Sequence, residues 1–312
     1  MTDQNISRRR FIGSTALAAA GIALASKSVF AAGTLFQSKP NSVINGVQIG
    51  VITYSFRSMP GSAEQLLQYC LQCNINAIEL MGDAAEAFAG KPQRNSGEDG
   101  PAYFKRVADW RASVSMDKFK ELRKLYNGAG IKIYAWKPNA LGPKNTDAEI
   151  DYAFNAGKAL GVTHITVELP ADDAQTKRLG DFASKHKIYV GYHAHLQATP
   201  TLWDTALSQS EYNAINLDIG HYTAGTSSSP VPFIEKNHAR IMSMHLKDRK
   251  YHDGPNMPWG QGDTPIAEVL QMIKKNKYKF PATIEFEYNI PEGSDAIKEV
   301  IKCREFAAKA LS

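Results

Sequence analysis

Twelve ionisable side chains stand inside or just after short apolar runs of this 312-residue chain: Glu79, Lys137, Glu168, His193, His195, Asp218, His221, His245, Lys247, Asp248, Glu285 and Glu287. One such residue would be a cap or a surface ion pair. Repeated in nearly every run, they gather carboxylates and imidazoles at one place, where buried charge is costly unless paired or bound to a cation. Three carboxylates and an imidazole converging on one point make a divalent-cation site. Its oxygen-rich donor set suits Mn, Mg or Co better than a thiolate-seeking metal, with Zn also acceptable. The stretch INLDIGHYTAG, residues 215–225, shows the pattern at its sharpest, with Asp218 and His221 three apart where the alternation of a strand stops. A helix N-cap followed by an unrelated histidine would look the same.

The elements that position these groups follow from periodicity. Runs rich in Val, Ile and aromatics predict strands at 47–56, 76–82, 131–137, 164–169, 188–195, 214–220, 241–247 and 282–288. Helical spacing alternates with them at 62–73, 117–128, 147–160, 173–186, 201–209, 230–238, 265–275 and 293–310. Regular strand–helix alternation predicts a parallel sheet clad in helices, and eight repeats predict a closed (β/α)8 TIM barrel over 47–312 after a lead-in at 32–46. An open doubly wound sheet would carry a glycine-rich phosphate turn after its first strand, and YSFRSMPG has none. Two long connections, 83–116 and 248–264, follow strand C-termini. Both read as substrate loops, the first equally as an idle insertion.

Residues 1–31 read differently. SRRRFIG, the small-residue run STALAAAGIALA and SVFAAG have the layout of a cleaved export signal, and the arginines before Phe11 resemble the twin-arginine (Tat) class. The expected location is periplasmic or otherwise exported, with the Tat machinery as a partner and no membrane anchor after cleavage. Arg8, Arg9, Arg10 and Lys27 against Asp3 give this segment +3 of the chain's +5, so the mature chain is nearly neutral. No nucleic-acid partner is expected of it. Cys70 and Cys73 lie in AEQLLQYCLQC, where the spacing is that of one helical face, so buried thiols are expected rather than a redox turn.

The pieces VELP, YHAH, LDIGH, MHLKD and GQGDTPI, in this order and spacing, resemble the sugar phosphate isomerase/epimerase family of xylose-isomerase-like barrels, from GVITYSFR to TIEFEY. That family includes ketose 3-epimerases, inosose dehydratases and endonuclease IV. The resemblance implies Glu168, Asp218, His245 and Glu285 as metal ligands, with Glu287 as an alternative to Glu285. It implies His221 as a group touching substrate, with Gly220 allowing a tight turn before it. YHAH resembles the commoner YHNH with Ala194 replacing Asn, which makes the roles of His193 and His195 less defined.

The resemblance implies a mechanism in which the metal acidifies the C–H beside a carbonyl, and Glu168 and Glu285 remove and return the proton through an enediolate. Epimerisation, isomerisation and elimination from a 3-keto-glycoside or inosose-type substrate share that first half. Glu79, Lys137, His193, His195, Lys247 and Trp259 are the expected substrate-binding groups, Asp248 less firmly. Tyr54, Phe56, Trp136 and Trp259 suit stacking on a sugar ring or plain barrel packing. Export and the lack of a strand-end arginine favour an unphosphorylated sugar. A nuclease would need more histidine ligands and a basic groove, and a non-catalytic sugar- or metal-binding barrel would not need paired glutamates. A homodimer through a barrel face is compatible with the class, though no residue specifies it.

Overall fold

In the computed structural model, residues 39–312 are described; the expected signal at 1–31 and the first part of the lead-in lie outside them. Eight strands, β1 (Val47–Ile52), β2 (Ala77–Met81), β3 (Lys132–Lys137), β4 (His164–Glu168), β5 (Tyr189–His193), β6 (Asn213–Asp218), β7 (Ile241–Leu246) and β8 (Ala282–Ile284), pair in parallel in chain order. β8 joins β7 on one side and β1 on the other, and β1 pairs with β2, which closes the barrel. The lead-in adds a hairpin: Val43–Ile44 runs antiparallel to β1 around Asn45-Gly46, both at positive φ, as a tight two-residue hairpin turn requires.

Side chains alternate across each strand. One phase, including Ile78, Leu80, Ile165, Val190, Ile215, Leu217, Met244, Leu246 and Ile284, is buried under the helical shell, each such residue contributing roughly 1.5–3 kcal/mol. The other phase faces the barrel interior and is polar: Glu79, His164, Thr166, His193, Asn216, Asp218, Ser243, His245, Thr283 and Glu285, all buried. Barrel interiors are usually filled with branched apolar residues. A polar interior is stable only when its groups satisfy one another, and here most do.

Several boundaries differ from the expected ones. β1 stops at Ile52 because Thr53–Phe56 forms a 3-10 turn; Thr53 Oγ1 there accepts the Met81 N–H at 2.9 Å. β5 stops at His193. β6 stops at Asp218, whose carboxylate caps an unexpected helix, Ile219–Thr226. Past β8 the chain stays extended, but Phe286 N–H donates to Ser55 Oγ at 3.0 Å rather than to a strand. The 83–116 connection is helical, at Gly82–Phe88 and Gly100–Ser113, and is pinned by buried Arg111 between Glu86 and Glu149. Cys70, Cys73 and Cys303 are buried free thiols, and no helix among the described residues is long and apolar enough to cross a membrane.

Candidate active site at the barrel mouth

The floor of the site is built by the inward phase of the strands. Register shifts beside Glu79 in β2 and Asn216 in β6 are the local irregularities that re-aim a side chain. Glu79 accepts from Thr166 Oγ1 at 2.6 Å and lies 2.8 Å from His245 Nε2. Asn216 spans the floor, donating to Ser243 Oγ at 2.6 Å, while its Oδ1 lies 2.8 Å from His193 Nδ1. Asn216 Oδ1 can only accept, so His193 carries its proton on Nδ1 and turns the Nε2 lone pair to the cavity. Burial holds His193 well below the usual imidazole range, hence neutral.

Above this floor His193, Asp218, His245 and Glu285 form a buried group, with one donor atom from each within 4.8 Å of the others. The two oxygens of Asp218 divide their work. Oδ1 accepts the His221 N–H at 2.7 Å as the N-cap of Ile219–Thr226. Oδ2 is buried and takes no directed hydrogen bond among the described residues; its cation neighbour is Lys247 Nζ at 3.1 Å. The N-cap reading of LDIGH is thus observed, and the second oxygen of the same residue is left for the cation reading. Burial pushes the Asp218 carboxyl up to about 7 against the pull of Lys247. Burial opposes ionisation of Glu285 too, but Lys247 and His245 outweigh it and hold that carboxyl well below its usual range.

A buried oxygen without a directed partner, beside imidazole and carboxylate donors, is what a divalent cation completes. The donor set fits such an ion: His193, Asp218, Glu285 and, once its Nδ1 gives up a proton, His245, with Glu168 above. Glu168 ends β4 half exposed at the rim, its Oε1 2.5 Å from Lys137 Nζ and its Oε2 3.5 Å from His195 Nε2. It is thus outside the buried group, where His193 stands instead. Glu287, one alternation beyond Glu285, holds Lys247 Nζ at 2.6 Å and does not join that group.

The remaining expected residues divide. Lys137, His195, His221 and Lys247 line the mouth; the His195 and His221 rings are 4.6 Å apart. Glu79 lies in the floor, fully buried, and meets the buried donor group through His245. The Asp248 carboxylate is committed to its own loop, accepting from the backbone N–H of Gly260 (2.7 Å), Gly262 (2.9 Å) and Thr264 (3.2 Å). A Cβ on Gly262 would lie 1.9 Å from that carboxylate, so the wrap requires glycine. Trp259 meets Phe306 edge-on at 5.8 Å on the outer helix. Phe56 and Trp136 are core residues packed on Tyr69 and on Phe119 and Tyr152, not sugar platforms.

Gly220 serves closeness rather than a turn: a Cβ there would sit 2.5 Å from the Lys247 carbonyl oxygen. Arg249 went unanticipated, yet its Nη1 lies 2.8 Å from His221 Nδ1, and its guanidinium also donates to the Gly254 carbonyl. His164, Thr166, Asn216 and Ser243 were missed as well. Their signal was present as polar residues on the same alternate positions as the recognised ones.

Residues 83–305 match the family model described as xylose isomerase-like TIM barrel. No curated protein matches the chain. Among solved structures, the probable 3-DHS dehydratase AsbF of Bacillus anthracis superposes with a TM-score of 0.62 at 14% identity, over 84% of this chain and 99% of that one. A sugar phosphate isomerase/epimerase from Parabacteroides distasonis gives 0.57 at 18% identity, over 86% and 96%. The 3-keto-D-glucoside 4-epimerase YcjR of E. coli gives 0.59 at 11% identity, over 83% and 99%. With the family match spanning most of the barrel that carries the site, the chain belongs to the xylose isomerase-like TIM barrel family.

Proposed function

We propose that the protein is a divalent-metal-dependent isomerase or epimerase of an unphosphorylated sugar or keto-sugar, working through an enediolate. The observation that carries this reading is the placement of Glu168 and Glu285 at the ends of β4 and β8, strands four apart in a ring of eight and so on opposite walls of the mouth. One carboxylate can take a proton from one face of a bound substrate while the other supplies the opposite face. A divalent ion held by Asp218, His245 and Glu285, with His193 or Glu168, would polarise the carbonyl and acidify the adjoining C–H.

The chain's own groups do the rest. Lys137 Nζ orients Glu168 and favours its ionised form, opposing the effect of burial. His221, kept neutral by burial and by Lys247, offers a ring over the cavity. Elimination is the second reading. It is favoured by His195, which is half exposed beside Glu168 and placed to protonate a departing oxygen; the probable dehydratase among the neighbours shares this fold.

The unphosphorylated substrate rests on the export reading, which we carry forward as a proposal: SRRRFIG and the small-residue run direct the chain out of the cytoplasm by a Tat-type route. Cell fractionation of an Arg8→Lys, Arg9→Lys variant tests it, with retention inside the cell expected. For the reaction, proton NMR in D2O with free ketoses and 3-keto-glycosides is decisive. Chelator-sensitive deuterium uptake beside the carbonyl is expected, slowed roughly 10²–10⁴-fold in Glu168→Gln, and the product separates epimerisation, isomerisation and elimination. No exchange on any substrate, in protein shown to hold metal, would replace the enzyme with a binding protein.

A further inference from the structure

Lys247 lies one residue beyond β7 with its side chain 3% exposed. Its ammonium is 3.1 Å from Asp218 Oδ2, 2.9 Å from Glu285 Oε2, 2.6 Å from Glu287 Oε2 and 2.9 Å from His221 Nε2. Two of these residues, Asp218 and Glu285, belong to the buried donor group. Asp218 Oδ1 is occupied by the His221 N–H, so Oδ2 is the oxygen that residue has free for a cation. Lys247 and a divalent ion therefore compete for the same carboxylates.

The contact with His221 is the weak side of this cage. A neutral imidazole has one acceptor nitrogen, yet both nitrogens of His221 face cationic donors, Lys247 Nζ at 2.9 Å and Arg249 Nη1 at 2.8 Å. One contact sets donor against donor. Arg249 is tied to the Gly254 carbonyl, at 2.6 and 2.9 Å, whereas two of the three carboxylates that hold Lys247, Asp218 and Glu285, are ones a divalent ion would claim. Glu287, 20% exposed, offers it a hold toward the rim.

Resting on the metal-site reading, we infer that Lys247 is a resident cation of the metal-free site, holding the Asp218 and Glu285 carboxylates in place, and that a divalent ion displaces it toward Glu287. Lys247 is then a positioning residue that sets both the stability of the metal-free protein and its affinity for metal. A lysine serving only as structural support would not oppose metal entry.

The test titrates the mature protein and Lys247→Met, each stripped by chelator, with MnCl2, MgCl2, CoCl2 and ZnCl2 in turn, by calorimetry and by thermal unfolding. Lys247→Met is expected to melt lower without metal, to bind the preferred ion at least tenfold more tightly, and to gain more in Tm on loading than wild type. Equal or weaker binding by a folded Lys247→Met overturns the inference and leaves the metal site standing. Wild-type protein that binds none of the four ions overturns the metal-site reading, and the inference with it. Because the variant could fail to fold, amine-reactive labelling of the wild type, mapped by mass spectrometry, gives an independent measure. Labelling of Lys247 is expected to rise on loading, and unchanged labelling in a loaded sample overturns the displacement.

Discussion

Glu79 Oε2 lies 2.8 Å from His245 Nε2, and both side chains are fully buried. Burial alone would depress the His245 imidazole, but Glu285 and Glu79 outweigh it and raise it to about 10. In the metal-free protein both nitrogens therefore donate, Nε2 to Glu79 and Nδ1 to Glu285; a divalent ion at Nδ1 would replace that proton alone, while Glu79 keeps the one on Nε2. Carboxylates of this kind typically account for about 10–100-fold in metal affinity. Glu79→Gln is expected to weaken binding of the preferred divalent ion by about that factor with far-UV circular dichroism unchanged. Undiminished binding in calorimetry would show that the ring is held by something else.

Asp248 governs the 248–264 connection. Its loss in Asp248→Ala strands the amides of Gly260, Gly262 and Thr264, at a cost of about 1–3 kcal/mol, part of it recovered by solvation of the loop. The expected outcome is a Tm lower by several degrees together with faster amide exchange confined to 248–264. Exchange unchanged in that segment would contradict the wrap.

His164 sets an acid limit on the metal-free protein. Its ring is buried between Thr163 and Ser243, and burial lowers it to about 4. The unfolded chain, with a histidine near its ordinary ~6.5, takes up the proton first. Stability from this group is complete above about pH 6.5 and declines as pH falls toward 4, by at most ~3 kcal/mol. Urea unfolding at pH 7 and pH 4.5 is expected to show a smaller acid loss in His164→Gln than in wild type. Equal losses would assign the acid sensitivity elsewhere.

The eight strands were legible because each carries one apolar phase against the helical shell, a signal that depends on no tertiary detail. Their C-terminal ends were harder. Asp218 suits a strand end, a helix cap and a cation equally, and only the placement of its two oxygens separates these uses. Gly100–Ser113 escaped notice because its buried residues are Val107 and Arg111, and a helix seated through a paired arginine lacks an apolar stripe. Position along a strand marked Glu168, Asp218, His245 and Glu285 as mouth residues. It did not reveal that Lys137 and His195 draw Glu168 to the rim while His193 joins the buried group, since that depends on which neighbour each head group finds.

β8 is the last barrel strand in chain order, and its pairing with β1 and β7 is what closes the ring. Glu285 follows it directly. Seven strands can therefore be in place while the ring is open and Glu285 is absent from the mouth. If the proposed reaction runs between Glu168 and Glu285, a chain clipped before β8 lacks the closing strand and one of the two carboxylates together, so activity would report closure of the ring.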